Sequence, residues 1–370
     1  MHWHNRCERF IFLIMQSVPK RISKLCILGC SGFIGSHLLE KLLSTGEYHI
    51  SGVDLEFEKI KHLIEHPQFC FYKSDIADIN ILNDLIKETD AVISLAAICN
   101  PSLYITEPLQ VIESSFTTPL QVVKMCAAYQ KWLIHFSTSE VYGKTASLIG
   151  ENREKYNDPM QEDETHMILG PISKQRWTYA CAKQLMERVI YAYRKKENLN
   201  YTIVRPFNFI GPKMDYIPNI DGQGIPRVVA CFMESLFNKT PLKLVDGGKN
   251  RRVFTYVDDA IDAIYRIIQR PEKSQGVIFN IGNPENELTI RELAEHMISI
   301  YKNLTGESGN SDIKFIDVSS EEFYGEGYDD CDRRLPDITS ANTLLEWFPK
   351  VRIDEALHKT IAGFIQYYQK

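Results

Sequence analysis

The sequence predicts an α/β fold: a doubly wound parallel sheet with a smaller lobe formed by the second half of the chain. Three observations predict it. Short β-rich runs alternate with helical patterns between residues 23 and 205, a glycine-rich turn joins the first run to the first helix, and the segment 206–252 is rich in Pro and Gly. Strand–helix alternation is typical of parallel strands that bury both faces under helices.

The first strand–helix–strand unit carries the clearest pattern. The run 24–28 (KLCIL) is short and mostly apolar, as a buried strand is. Residues 33–45 repeat apolar side chains at helical spacing, and Gly46 follows them as a residue that commonly ends a helix. The β-rich run 48–54 is the second predicted strand.

The remaining elements are predicted from the same two periodicities, of about two residues for strands and 3.6 for helices. Strands are predicted at 69–73, 91–95, 132–137, 201–205 and 277–281, and helices of the second half at 257–269 and 289–303.

Composition excludes several classes of protein. The chain has 370 residues, a 44% hydrophobic fraction typical of globular proteins, and no run of about 18 apolar residues that would predict a membrane span. A net charge of −6 argues against a nucleic-acid partner. The nine cysteines are irregularly spaced with no Cys-x-x-Cys pair, which predicts reduced thiols in a cytoplasmic protein and no metal site.

A glycine-rich turn predicts a dinucleotide site. Gly29, Gly32 and Gly35 follow the first strand directly, in the spacing G-x-x-G-x-x-G. Such glycines allow a tight turn and a close approach of backbone to pyrophosphate at a helix N-terminus. Asp54 lies nineteen residues after Gly35, at the end of the second strand. An acid there accepts hydrogen bonds from the ribose hydroxyls and repels a 2′-phosphate, so the pattern favours NAD over NADP in a Rossmann-like fold.

Four further residues are assigned to the cofactor site. Phe33 and Ile34 lie between the second and third glycines of the turn, and Asp75 and Ile76 follow the third predicted strand, where they would border the adenine. An ordinary capping role for Asp75 is the alternative. The chain is therefore divided into an extension outside the fold (1–22), a cofactor domain (23–205) and a mainly substrate-binding lobe (206–370), some segments of which return to the cofactor domain.

Two short motifs predict the reaction chemistry. Thr138, Ser139 and Glu140 follow a predicted strand, and Tyr179 and Lys183 lie four residues apart on a predicted helix, so they share one helix face. An ammonium near a phenol lowers its pKa from about 10, which would make Tyr179 a base for a sugar hydroxyl.

These motifs together resemble the extended short-chain dehydrogenase/reductase family, over nearly all of residues 23–370. The resemblance implies a tightly held NAD, a nucleotide-sugar substrate and a homodimer that packs the helix near 115–130 with the Tyr179 helix. Within the family, Thr138-Ser-Glu-Val-Tyr-Gly143 and the segments 170–179, 205–212 and 324–336 are similar to enzymes that decarboxylate UDP-glucuronic acid. These include UDP-apiose/UDP-xylose synthases and the decarboxylase domain of the bifunctional polymyxin-resistance enzyme.

The resemblance also implies roles for single residues. Thr138, Ser139, Glu140, Tyr179, Lys183, Arg334 and Cys99 would be catalytic. The UDP-sugar would be held by Tyr104, Arg176, Asn208, Arg227, Lys243, Arg252, Tyr328 and Arg334. Residues 205–252 carry eight Lys or Arg and four acids, so this stretch is basic where a diphosphate would bind.

One departure bears on the product. The synthases carry a second cysteine directly before the catalytic glutamate, and this chain has Ser139 there, as the simple decarboxylases do. Ser139 therefore bears on the ring contraction to UDP-apiose and not on the decarboxylation. The expected product is UDP-xylose, UDP-apiose or both, with release of UDP-4-keto-pentose and NADH as an alternative. A nucleotide-sugar 4-epimerase and a non-catalytic NAD-binding sensor are the other readings. Glu140 and Arg334 argue against the first, and the intact Thr138/Tyr179/Lys183 set argues against the second.

Overall fold

The computed structural model of the chain describes residues 21–144, 159–218, 220–222, 224–306 and 314–368. Of the extension predicted over 1–22, residues 1–20 lie outside the described part of the chain. Within the described part of the chain, no helix is both long enough and apolar enough to cross a membrane.

A seven-stranded sheet forms the centre of the molecule, and all of its strands are parallel. The strands are β1 (Lys24–Leu28), β2 (His49–Asp54), β3 (Phe69–Lys73), β4 (Ala91–Ser94), β5 (Trp132–Phe136), β6 (Tyr201–Pro206) and β11 (Val277–Ile281). Their order is β11-β6-β5-β4-β1-β2-β3, so the direction of strand progression reverses at β1. This doubly wound arrangement confirms the predicted fold class, and each predicted strand agrees with the structure to within one residue at each end. Ligands bind at the carboxyl ends of such strands.

Both faces of this sheet are covered by helices. The longer helices are Phe33–Thr45, Ile79–Glu88, Thr118–Ala128, Thr178–Glu197, Val228–Asn238, Val257–Gln269, Ile290–Thr305 and Ile353–Tyr368. The shorter ones are Leu103–Thr106, Pro108–Ile112, Pro271–Ser274, Ser320–Tyr324 and Thr339–Leu345. Leu25 and Ile27 pack into one core cluster, while Cys26 and Leu28 pack into another on the opposite face. The alternation follows from the two-residue period of a strand.

The second half of the chain is less regular, and part of it completes the main sheet. The strand β11 pairs with β6, with Phe279 opposite Val204, and thereby lies at the sheet edge. The remaining strands are short: β7 (Phe209–Ile210), β8 (Leu242–Val245), β9 (Arg251–Val253), β10 (Thr255–Tyr256), β12 (Glu287–Thr289), β13 (Phe315–Val318) and β14 (Arg333–Arg334).

Three of these short strands form a small sheet that positions the candidate site. The strand β9 is central, with β12 antiparallel on one side and β14 parallel on the other. The register places Arg334 of β14 directly beside Arg252 of β9. Two residues that are 82 positions apart in the sequence thus become neighbours.

Candidate active site

The glycine turn has the geometry of a dinucleotide cradle. Gly29 has a φ of +89°, and the helix Phe33–Thr45 begins directly after Gly32. A Cβ on Gly35 would lie 2.1 Å from the carbonyl oxygen of Gly29, and one on Gly29 would lie 2.9 Å from the backbone nitrogen of Ala96. A side chain at position 35 would push the helix away from the end of β1, and one at position 29 would collide with the segment after β4. The glycines present therefore fit a bound pyrophosphate at the helix N-terminus.

Asp54, at the end of β2, is hydrogen-bonded to the backbone of this turn. One carboxylate oxygen accepts a hydrogen bond from the Ser31 N–H (2.8 Å), and the other accepts one from the Leu55 N–H (2.8 Å). The carboxylate is thus held beside the turn, and each of its oxygens has further lone pairs for a ribose hydroxyl. The arrangement fits the predicted cofactor role of Asp54.

The other predicted cofactor residues lie at different distances from the cavity. Ile34 lines it, while the ring of Phe33 packs edge-on against His37. Asp75 is exposed and accepts a hydrogen bond from the Ala77 N–H, as in an ordinary capping turn, and Ile76 packs against the core. Their contact with adenine stays a prediction.

A large cavity opens beyond the carboxyl ends of β4, β5 and β6. It is lined by Cys99, Tyr104, Thr138, Ser139, Glu140, Arg176, Tyr179, Lys183, Asn208, Arg227, Lys243, Arg252, Tyr328 and Arg334. These are all of the residues predicted to be catalytic or substrate-binding. Cys99, Tyr104, Thr138, Ser139, Glu140 and Asn208 follow the carboxyl ends of β4, β5 and β6, which meet at one edge of the sheet. Arg252 and Arg334 come instead from the small sheet of the second half.

Tyr179 lies in the wall of this cavity. Its ring stacks on that of Tyr104, with 4.7 Å between centroids and 8° between planes, and its hydroxyl lies 3.7 Å from Cys99 Sγ. Burial, followed by the neighbouring Cys99, Tyr104 and Glu140, raises the pKa of Tyr179 well above its ordinary value. The expectation of a lowered pKa is wrong for this ligand-free state, since desolvation of the phenolate dominates.

Lys183 lies one helical turn beyond Tyr179 and is equally buried. Its ammonium donates a hydrogen bond to the Phe136 carbonyl oxygen (2.8 Å). Burial lowers the pKa of Lys183 to about 8, against smaller opposing effects of Cys99 and Glu187. The Phe136 carbonyl therefore anchors the lysine to the end of β5, two residues before Thr138.

Glu140 is a largely buried carboxylate of the site, with its side chain 15% exposed. Thr138 precedes it and caps the short turn Ser139–Tyr142 by accepting the Glu140 N–H. Arg176 donates two hydrogen bonds to the Glu140 carboxylate, at 2.5 and 2.9 Å, and an Arg334 nitrogen lies 3.6 Å away. Burial alone would raise the pKa of Glu140, but the two arginines outweigh it and hold the pKa below its usual value. Glu140 is accordingly ionised at neutral pH.

Asp330 also lines this cavity and links Arg252 with Arg334. Our sequence reasoning did not single it out. Its carboxylate accepts hydrogen bonds from Arg334 Nη2 and Arg252 Nη2, both at 2.7 Å, and from the Tyr328 hydroxyl at 3.1 Å. The only sequence signal was its position inside the motif 324–336. Its partners Arg252 and Arg334 lie on β9 and β14, and strands of three and two residues are too short to show a periodicity in the sequence.

The remaining predicted substrate residues lie around the opposite part of the cavity. Arg227 donates to both Asp215 oxygens and to the Phe209 carbonyl, and its guanidinium lies over the Phe33 ring. Asn208 has a φ of +37° and donates to the Val253 carbonyl. Lys243 is exposed, with its ammonium 5.8 Å from the Phe323 ring centroid.

Beneath the cavity lies a second buried network that our sequence reasoning missed. Arg205 pairs with Glu187 through two hydrogen bonds (2.6 and 3.0 Å) and donates to the Tyr142 hydroxyl at 2.7 Å. The Tyr142 hydroxyl in turn donates to Asn280 Oδ1. The network ties the Tyr179 helix to β6, to β11 and to the turn that carries Glu140.

Comparison with known proteins defines the class of this chain. The sequence profile of the NAD dependent epimerase/dehydratase family matches residues 25–282. The chain belongs to this family, which confirms the resemblance drawn from the motifs. The family is NAD dependent by description, in agreement with the cofactor predicted from the glycine turn and Asp54.

Among its relatives are two plant enzymes and a bacterial protein of known structure. UDP-D-apiose/UDP-D-xylose synthase of Oryza sativa subsp. japonica is 48% identical over 350 residues, covering 91% of this chain and 88% of its own length. UDP-D-apiose/UDP-D-xylose synthase 1 of Arabidopsis thaliana is also 48% identical over 350 residues, covering 91% and 90%. The crystal structure of PbgP3 from Burkholderia pseudomallei superposes with a TM-score of 0.79 at 34% identity, covering 93% of this chain and 96% of that one.

Proposed function

We propose that this protein catalyses the NAD-dependent oxidative decarboxylation of UDP-glucuronic acid, through a UDP-4-keto-pentose, to UDP-xylose, UDP-apiose or both. The observation that carries the proposal is the 48% identity to UDP-D-apiose/UDP-D-xylose synthases over 91% of the chain. The cavity supports it, because a base candidate and a cluster of arginines line the same wall.

The turn 29–35 and Asp54 would hold the cofactor. NAD, when bound, supplies the two-electron oxidant for C4 of the sugar and the reductant that later restores it. Tyr179 would accept the proton of the C4 hydroxyl, and the hydroxyl of Thr138 would donate to the C4 oxygen. Because the ligand-free phenol has a raised pKa, Tyr179 needs positive charge from the assembled complex to act as a base.

The position of the substrate carboxylate relative to C4 explains why oxidation at C4 leads to decarboxylation. With C4 as a ketone, the carboxyl group on C5 is β to a carbonyl, and CO₂ leaves as its bonding electrons move into an enolate on the C4 oxygen. The Thr138 hydroxyl would stabilise that oxygen as its charge develops. Arg334 would contact the departing carboxylate and, through water, assist protonation of C5.

The geometry also bears on the final product. Cys99 Sγ lies 3.7 Å from the Tyr179 hydroxyl, so a thiol is available beside the reacting centre. Ser139 is buried and lines the same cavity. Retro-aldol cleavage of the C2–C3 bond, reclosure by aldol addition that joins C2 to C4, and reduction of the resulting C3 aldehyde would give UDP-apiose. Direct reduction of the C4 ketone would give UDP-xylose.

Product analysis tests the proposal. The purified protein is incubated with UDP-glucuronic acid and NAD⁺, CO₂ is trapped, and the nucleotide sugars are identified by NMR. We expect stoichiometric CO₂ and a UDP-pentose. A product of UDP-galacturonic acid without CO₂ would indicate a 4-epimerase, and accumulation of NADH with UDP-4-keto-pentose would indicate the releasing decarboxylase. Nucleotide binding with no turnover would indicate a sensor and would reject the proposal.

We further propose that the chain acts as a homodimer that packs the helix near 115–130, which the structure gives as Thr118–Ala128, with the Tyr179 helix Thr178–Glu197, and that the neighbouring short helix Pro108–Ile112 extends this interface. Large apolar side chains on these helices are exposed, among them Leu109 (79%) and Leu185 (47%). Exposed apolar groups of this kind on adjacent helices are typical of a subunit interface. Leu109→Glu with Leu185→Glu should give a monomer in sedimentation velocity, and an unchanged dimer would refute this interface.

The domain division and location are proposals as well. Residues 23–205 would bind the cofactor, and segments of 206–370 would bind the UDP-sugar and return to the first domain, as β11 does. A cytoplasmic location is supported by free thiols, including the buried Cys26 and Cys126.

A further inference from the structure

Two arginines of the candidate site are placed side by side by strand pairing. In the β9–β14 register Arg334 lies directly beside Arg252, and their side chains are only 3% and 9% exposed. Like charges on directly neighbouring strand positions repel each other. A third guanidinium, that of Arg176, lies on the other side of Glu140. This crowding of positive charge requires counter-charge within the same wall.

Asp330 supplies that counter-charge to both neighbours at once. One carboxylate oxygen accepts from Arg334 and the other from Arg252, each at 2.7 Å. The same carboxylate is oriented by the Cys331 N–H (2.9 Å). Hydrogen bonds between ionised partners are among the strongest in proteins, so the two guanidinium groups are held at defined positions.

The charges of this cluster leave a positive remainder. Arg176, Arg252 and Arg334 face Glu140 and Asp330, so three positive groups meet two negative ones. Arg334 is only loosely paired with Glu140, since its Nη1 lies 3.6 Å from Glu140 Oε1. Its Nη2 is held closely by Asp330 Oδ1, at 2.7 Å. One substrate carboxylate would balance the cluster.

We propose that Asp330 is a positioning residue that limits how tightly the arginines hold the sugar carboxylate. An arginine that binds the carboxylate too strongly stabilises the ground state, in which the negative charge is on the carboxyl group. In the transition state for loss of CO₂ this charge has moved toward the C4 oxygen. By sharing Arg334 and Arg252, Asp330 weakens the ground-state contact and lowers the barrier. This inference rests on the proposed function.

The test compares Asp330→Asn with the unaltered enzyme, both loaded with NAD. Asp330→Asn keeps the shape of the side chain and removes its charge. We expect UDP-glucuronic acid to bind about tenfold more tightly, and kcat for CO₂ release to fall by about tenfold or more, since ground-state binding is strengthened at the expense of the transition state. UDP-xylose has no carboxylate, so a change at Arg252 can reach it only through the diphosphate, and the ratio of the two affinities should still shift by about tenfold in favour of UDP-glucuronic acid.

Two further variants separate positioning from structural damage. Asp332→Asn alters an exposed carboxylate two residues away and should leave both affinities and kcat unchanged. Asp330→Glu restores the charge and should move the ratio of the two affinities back toward that of the unaltered enzyme.

The outcomes distinguish this inference from the proposed function. If the unaltered enzyme releases no CO₂ from UDP-glucuronic acid, the proposed function fails. If it does, and Asp330→Asn leaves the affinity ratio or kcat unchanged, the positioning role is refuted. A parallel loss of affinity for both nucleotide sugars would show that Asp330 only maintains the fold, and would equally refute it.

Discussion

The phenol ring of Tyr179 lies parallel to that of Tyr104, with 4.7 Å between the ring centroids. Tyr104 belongs to the short helix Leu103–Thr106, whereas Tyr179 lies 75 residues later, in the first turn of the long helix Thr178–Glu197. Stacked aromatic pairs contribute about 0.5–1.5 kcal/mol beyond the area they bury. The stack therefore fixes the plane in which the Tyr179 hydroxyl faces the cavity, independently of any hydrogen bond to that hydroxyl.

Tyr179→Phe removes this hydroxyl and keeps the stacked ring. We expect the rate of CO₂ release to fall by about 10²–10⁴-fold, the usual range for loss of a general base, with UDP-sugar affinity retained. Tyr191→Phe, on an exposed tyrosine of the same helix, is the matched control and should leave the rate unchanged. More than about a tenth of the activity surviving in Tyr179→Phe would reject Tyr179 as the base.

The buried Lys183 predicts a pH-dependent stability. Burial lowers its pKa to about 8, so between pH 8 and about 10.4 the unfolded chain binds more protons than the folded one. Stability contributed by this residue is therefore lowest below pH 8 and rises as the pH increases. Relative to Lys183→Met, the unaltered protein should gain roughly 2–3 kcal/mol between pH 7.5 and 10 in denaturant unfolding. A parallel pH dependence of the two proteins would contradict this.

Arg176→Met tests the ion pair with Glu140. The folded-state pKa of Glu140 is held low, so the pair stabilises the fold above the unfolded pKa of about 4.3 and loses this contribution as the pH falls further. The stability difference between the unaltered protein and Arg176→Met should be largest near pH 7 and shrink toward pH 3. Arg333→Met, which breaks the more exposed pair with Glu287, is the control and should show a smaller dependence.

Ser139→Cys tests the departure at residue 139 from the synthase pattern that the resemblance implies. If the second cysteine promotes ring opening, this variant should raise the UDP-apiose share of the product in NMR while total CO₂ release stays similar. Ser139→Ala is the control and should not raise that share. An unchanged ratio in Ser139→Cys would mean that residue 139 does not decide between the two pentoses.

Arg205→Met tests the network beneath the cavity. Removing one partner of a buried ion pair leaves Glu187 unpaired, which should lower the free energy of unfolding by about 3–5 kcal/mol. Adding Glu187→Leu should recover much of this loss. The exposed pair of Lys359 and Glu355 offers the comparison, because breaking it with Glu355→Gln should cost at most about 1 kcal/mol. Equal losses at the two sites would contradict a special role for the buried network.

The local sequence pattern was sufficient to predict the strand and the helix that flank the cofactor turn. The helix 33–45 was predicted with its observed limits, and Gly46 ends it in the left-handed conformation with a φ of +67°. Strand period, helix period and glycine turns depend on residues a few positions apart, so a single sequence contains them. The predicted catalytic residues Tyr179 and Lys183 share a helix face for the same reason.

The sequence by itself determined the fold class, the cofactor turn and the family, through motifs whose parts lie close together in the chain. Only the tertiary structure brought Asp330 between Arg252 and Arg334, and Arg205 against Glu187. It also decided that burial, rather than Lys183, controls the Tyr179 pKa in the ligand-free protein. Ion pairs between distant segments and the desolvation of buried groups depend on how the chain is packed, which local periodicity does not encode.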